Sequence, residues 1–289
     1  MSNPHLPPEI LDYIVDNVDL LHDTKHALMN CCLVSKSWIP RTRKHLFAHV
    51  SFFSLEDLKS WKRVFPDPST SPACYTQTLL VGCSNVVVAA DAEAGGWITG
   101  FSRIVDLELG VGIGWSDHTP TSPLTPFYGC SPAIRSLRVS LPTLPSSQIL
   151  DLIVSFPLLE DLNVIAPYDP TKDGDGSDRL PTIVRPSGSP PFTGSLVLLG
   201  VGIKHIIRRL LSLPGGLHFK KFTWAHMGDP LLVTALVEAC SHTLESLEIT
   251  RITFGTPIQY STSLSASITQ SCSQSTLRSI SRKRQNSKM

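Results

Sequence analysis

The chain has 289 residues, 42% of them hydrophobic, and a formal net charge of +1. That length and apolar content suffice for one large or two ordinary domains and exclude an intrinsically disordered protein, and a near-neutral chain has no global field for nucleic acid or membranes. The seven cysteines are odd in number and scattered, with no signal peptide, no Asn-x-Ser/Thr acceptor and no apolar run long enough for a membrane span, so a reducing cytoplasmic or nuclear location is expected.

The first elements are helical. Pro7 and Pro8 stand where a helix begins, and Ile10, Leu11, Ile14 and Val18 then place apolar groups on one face. After the polar break at His22-Asp23-Thr24, with Asp23 or Thr24 as N-cap, a second run puts Leu28, Cys31 and Cys32 on a shared face and ends at Leu33-Val34. A third piece opens at Ser37-Trp38-Ile39, carries Pro40 in its first turn, where proline is tolerated, and returns to apolar residues at Leu46 and Phe47. A cluster of about 40 to 50 residues buries too little of its surface to be comfortable alone, so something must cover the remaining apolar groups.

The elements LPPEIL, Leu28 to Trp38 as L-x-x-C-x-LVSKSW, and His45-Leu46-Phe47 together resemble the F-box. The resemblance covers roughly residues 5 to 50. It implies a three-helix hook that binds a Skp-type adaptor and through it a cullin-RING ubiquitin ligase. Residue by residue, the implied adaptor contacts are Leu6, Pro7, Ile10, Leu11, Ile14, Leu28, Leu33, Val34, Trp38, Leu46 and Phe47.

Beyond the hook, Ser54 with Asp57 at the capping-box position starts a short helix that stops at Pro66. Strand-length apolar segments then recur at 77–82, 103–110, 133–140, 158–165, 194–202, 219–224 and 243–250, most with alternating pattern. With Leu80, Leu107, Leu137, Leu162, Leu198, Phe222 and Leu247 taken as equivalent, most steps are about 24 to 30 residues, near the leucine-rich-repeat period. Helix patterns intervene at Ser147 to Pro157, Ile203 to Leu211, and after Asp229-Pro230.

Strand, loop, helix, strand is the unit, and neighbouring units must stack to share a core. The expected architecture is α/β: a three-helix F-box over 1–50, then a leucine-rich-repeat-like right-handed α/β solenoid with parallel strands over 51–255, and a disordered Ser-rich basic tail over 256–289. The solenoid resembles the irregular leucine-rich-repeat regions that follow many F-boxes, without the full L-x-x-L-x-L-x-x-N signature. A Pro-, Gly- and Asp-rich surface loop interrupts the array over 166–193. The array ends without an obvious polar capping repeat, which leaves open a chain that once continued or a gene model that ends early.

Chemical constellations are weak. The acidic run Asp173 to Asp178 has Asp178 and Val184 where a calcium loop needs Gly and a bidentate Glu. Gly110, Gly112 and Gly114 miss the dinucleotide spacing, and the pairs His22/His26 and His45/His49 lack a third ligand. No Gly-x-Ser-x-Gly and no cysteine-nucleophile motif occurs. No metal, cofactor or catalytic residue is assigned, and neither nucleic acid nor membrane is expected as a partner. The basic face Lys204, His205, Arg208 and Arg209 reads as solvated surface opposite an Ile/Leu stripe, and Arg282-Lys283-Arg284 is too short to specify nuclear import. The expected function is a non-enzymatic substrate receptor of a ubiquitin ligase. The alternatives are an F-box scaffold without ligase activity and, more remotely, an α/β hydrolase-like enzyme. Candidate target contacts are the loop after Ala166 and the side chains of Glu108, Arg138, Asn163, Thr223 and Glu248.

Overall fold

The computed structural model describes residues 7–18, 24–82, 96–110, 124, 127–128, 130–140, 146–166, 192–200, 203–213, 216–225 and 230–250. The expected tail, the acidic run after Tyr168 and the second and third glycines of the Gly110 cluster lie outside these residues.

Three helices come first: α1 (Pro8–Val18), α2 (Thr24–Val34) and α3 (Ile39–Leu46), the last entered through a 3₁₀ turn at Lys36–Trp38. Pro40 sits in the first turn of α3, as its missing N–H requires. The Ser35 side chain accepts from the Ser37 N–H to cap the 3₁₀ turn. Helix α4 (Leu55–Val64) begins with the full capping box: Ser54 accepts from the Asp57 N–H, and the Asp57 carboxylate accepts from Ser54 N–H at 2.9 Å.

Among the described residues, the rest is an α/β body around one sheet of eight parallel strands in the order β1 to β8, each beside its predecessor in sequence. They are β1 (His49–Phe52), β2 (Thr78–Val81), β3 (Asp106–Leu109), β4 (Ser136–Val139), β5 (Asp161–Ala166), β6 (Ser195–Gly200), β7 (Lys221–Ala225) and β8 (Ser246–Thr250). Helices α5 (Ser146–Ser155), α6 (Lys204–Leu211) and α7 (Pro230–Ala239) lie between β4 and β5, β6 and β7, and β7 and β8. Seven strands fall in the seven segments expected from alternation; β1, immediately after the helical cluster, was not anticipated.

Register explains why these short strands hold. One row across the sheet reads Val50, Leu79, Leu107, Leu137, Leu162, Leu196, Phe222, Leu247. A second, two residues on, reads Phe52, Val81, Leu109, Val139, Val164, Leu198, Trp224, Ile249. Both rows point to one face because side chains alternate along a strand, and all but the two β8 members are buried. Each fully enclosed large side chain contributes roughly 1.5–3 kcal/mol. The equivalences are thereby corrected at two positions: Leu79, not Leu80, and Leu196, not Leu198, align with Leu107 and Leu137. A slip of one residue would turn Leu80 inward and Leu79 out.

Helices close the buried face with Leu150, Ile153, Ile206, Ile207, Leu210 and Leu236. Buried polar groups are stapled. Ser131, fully enclosed, donates to the carbonyls of Ser102 (3.0 Å) and Ile104 (2.9 Å). Asp161 Oδ1 accepts from both the N–H and the hydroxyl of Ser195 at 2.6 Å, bridging β5 and β6. Gly194 permits that approach, since a methyl group there would lie 2.5 Å from the same oxygen. Gly110, with φ 93°, turns the chain out of β3 as its N–H donates to the Val81 carbonyl at 2.8 Å. Among the described residues no helix is long and apolar enough to cross a membrane.

Candidate functional site

Two surfaces stand out, one on the helical cluster and one on the sheet face opposite the apolar rows. The cluster has a small interior. Val15 of α1 and Leu28 of α2 are enclosed, and Thr42 of α3 is buried with its hydroxyl donating to the Trp38 carbonyl at 2.7 Å. Val15 was missing from the apolar face expected for α1; the stripe Ile10, Leu11, Ile14 is the more exposed one.

Charge locks the arrangement. Asp16 on α1 takes both guanidinium contacts of Arg41 on α3, Nε at 2.7 Å and Nη2 closer still, and also meets His45 Nε2 at 2.7 Å. The Arg41 hydrogen bond, assisted by His45, holds the Asp16 carboxyl down at about 2, although its partial burial opposes this. Arg41 is correspondingly pushed up by the same bond. Two helices separated in sequence are thus pinned at fixed orientation.

The site residues expected from sequence divide into groups. Leu33 and Val34 at the end of α2 are 85% and 68% exposed, and Ile10 and Ile14 on α1 are also exposed, as is Pro7. Leu11, Trp38, Leu46 and Phe47 are half-buried. Leu28 is only 1% exposed, so it cannot offer a contact surface to another chain; its place is the interior that holds α1 to α2 and α3. Leu6 lies outside the described residues. Met29, exposed on α2, joins the apolar group and was not anticipated.

Phe47 has a second role. Its ring packs edge-on against Trp61 of α4 and Phe65 just past the end of that helix, with centroids 5.8 Å apart in each case. Trp61 continues the chain of rings to Phe52 at 5.8 Å and Phe101 at 5.7 Å, and Phe52 meets Trp97 at 5.4 Å. This aromatic seam welds the helical cluster to the first strands of the sheet. The i, i+4 pairs Trp61/Phe65 and Trp97/Phe101 were the available sequence signal for it.

The opposite sheet face, on which no helix is described, carries the complementary register rows. One reads Ser51, Leu80, Glu108, Arg138, Asn163, Val197, Thr223, Glu248, so the five anticipated target-contact side chains fall in a single row. The other reads His49, Thr78, Asp106, Ser136 and Asp161 over the first five strands. Arg138 and Glu108 pair at 3.3 Å across adjacent strands. Asn163 Oδ1 is buried with no hydrogen-bond partner among the described residues. Polar side chains thus dominate this face, in contrast to the apolar rows behind it.

Chemistry elsewhere is muted. Burial pushes the Cys130 thiol up to about 12, so it stays protonated and a poor nucleophile at neutral pH. The Tyr128 hydroxyl is likewise raised to about 12 by burial. Among the described residues, no group of three or more His, Cys, Asp or Glu could hold a metal ion. His45, half of one candidate ligand pair, is engaged with Asp16 instead.

No model of a known protein family matches the chain, and no curated protein matches it in sequence.

Proposed function

We propose that the chain is a substrate-recognition subunit of a cullin-RING ubiquitin ligase: its helical cluster is an F-box that docks a Skp-type adaptor, and its sheet is a leucine-rich-repeat-like right-handed solenoid that presents a target protein. Its chemistry is binding alone. The observation that carries the reading is the exposure of Ile10, Ile14, Leu33 and Val34 on helices whose interior is already closed by Val15 and Leu28. Large aliphatic side chains left in water next to a completed core are what a partner protein would cover, each contributing roughly 1.5–3 kcal/mol when enclosed. The motifs LPPEIL, which carries Ile10, and LVSKSW, which opens with Leu33 and Val34, support the reading by their resemblance to the F-box. In this reading Leu46 and Phe47 close the hook, and the Phe47 ring seats it against Trp61 of α4.

The polar row from Glu108 to Glu248 supports the second half of the reading. It offers pairing groups in a regular grid, with the exposed Arg138 and Glu248 side chains among them. Co-purification with a Skp-type adaptor tests the first half. The double variant Leu33→Asp, Val34→Asp should abolish the complex while the chain keeps its circular dichroism and melting temperature. Undiminished adaptor binding by that variant would remove the F-box assignment.

A further inference from the structure

We propose that the open edge of β1 receives an extended segment from a partner protein, apolar at alternate positions and acidic between them, which adds to the sheet as a further strand. The argument starts from the parallel ladder. Ala48 O accepts from Thr78 N–H at 2.9 Å and Phe52 O from Gly82 N–H at 2.8 Å, and the register Val50↔Leu79 places the backbone groups of Val50 toward β2 as well. In a parallel pair the alternate residues face the other way. The N–H and C=O groups of His49 and Ser51 therefore point out of the sheet at its first edge, which no strand covers among the described residues.

An exposed strand edge is ordinarily blunted by charge, a bulge or a covering element. Here it opens instead into a groove of about 590 Å³ between α2 and α4. Met29 forms one wall and Trp61, Val64 and Phe65 the other, with Phe47 at the floor. Met29 is 50% and Val64 66% exposed, so both walls present uncovered apolar surface beside unpaired backbone. That combination is the recognition mode in which main-chain bonds supply affinity and alternate side chains enter pockets.

Charge selects the occupant. From Thr24 through Ser54 the chain has no carboxylate, while Lys25, Lys36, Arg43 and Lys44 occur there, in addition to Arg41, whose charge Asp16 takes. Lys25 lies in the groove wall itself. The single carboxylate among the described lining residues, Asp57, has its Oδ2 held by the N–H groups of Phe53 and Ser54, each at 2.9 Å, in the first turn of α4, where the helix N-terminus partly offsets its charge. An acidic segment meets the Lys25 cation on the α2 wall, across the groove from the helix-capping Asp57. This inference does not rest on adaptor binding, because neither Leu33 nor Val34 lines the groove.

The test selects binders to the full chain from a display library of random twelve-residue peptides, then measures the selected peptides, fluorescently labelled, by anisotropy. Selected sequences should alternate apolar and acidic residues. Ser51→Pro removes an N–H that faces away from β2, so the existing ladder survives while a new strand loses its bond. Val64→Glu places an anion on the exposed groove wall without touching the backbone. Each should weaken the peptide Kd by about tenfold or more, the scale of a lost bond combined with a disturbed pocket. Ser51→Ala and the Leu33→Asp, Val34→Asp double variant should leave it within about twofold. If Ser51→Pro fails to fold, peptides N-methylated at alternate amides replace it and should bind equally poorly. Unchanged binding in the Ser51 and Val64 variants, selection of helical or basic sequences, or an empty selection would overturn the proposal. So would self-association of the chain that Ser51→Pro abolishes, since the occupant would then be a second copy.

Discussion

The helical cluster and the sheet solve the same problem in opposite ways. Across the sheet, two apolar rows are enclosed strand after strand, so each unit's burial is completed by its neighbour and by the helices behind it. The cluster encloses little more than Val15, Leu28 and Thr42 and leaves Leu33, Val34, Ile10 and Ile14 in solvent. Up to the last strand, one region is finished by its own chain; the other has apolar surface to spare. Stability and binding should therefore separate by region.

Mutations can break that separation, and the largest effect should come from the sheet. Leu137, 1% exposed in the middle of its row, should cost about 2–5 kcal/mol when changed to Ala, read from urea unfolding of the whole chain. Leu33→Ala, with the same loss of carbon, should change stability by no more than about 0.5 kcal/mol. Equal costs at the two sites would erase the contrast. Next comes Gly194→Ala: a methyl 2.5 Å from Asp161 Oδ1 must displace the carboxylate that bridges to Ser195, and about 1–3 kcal/mol of destabilisation should appear in the melt.

A smaller effect tests what holds the cluster together. The folded chain keeps Asp16 ionised down to about 2, below its ordinary 3.8, so its contribution is present above roughly pH 4 and is lost as pH falls toward 2. The side chain is 38% exposed and solvent screens the pair, so the contribution should not exceed about 1 kcal/mol. Unfolding free energies of wild type and Asp16→Asn, measured from pH 6 to pH 2, should converge at the acid end. The smallest change is expected at the last strand. Ile249, 44% exposed although it continues an inner row, should tolerate Thr within about 0.5 kcal/mol, whereas Val164→Thr, fully enclosed in the same row, should cost more than about 1 kcal/mol.

Legibility in the sequence followed the same division. Segments such as AIRSLRVS and TLESLEIT announce a strand because polar and apolar residues alternate cleanly, and seven strands were readable on that basis. Where leucines run together, as in Leu79-Leu80, alternation gives no phase and the equivalence slipped by one; in β6 it slipped by two, from Leu196 to Leu198, because leucine stands at both inward positions. Only the backbone ladder to the neighbouring strand decides which leucine turns inward. Strand β1 escaped notice because four residues between two helices carry just two inward groups, Val50 and Phe52. In the cluster, periodicity found the apolar residues of α1 but not which of them face inward. Val15 takes that place because Asp16, beside it, is drawn to Arg41 and His45. The aromatic seam joins residues as far apart as Phe52 and Trp97, a pairing that no local pattern announces.

The junction at Ala48 has a mechanical consequence. A single residue separates the end of the third helix and its Phe47 from the first strand, and the rings of Trp61 and Phe65 clamp that joint. Such a connection allows little swivel. A protein gripping the helices and another lying on the sheet would be held like jaws on a common frame, with reach and bearing set by the frame itself and not by diffusion of a tether.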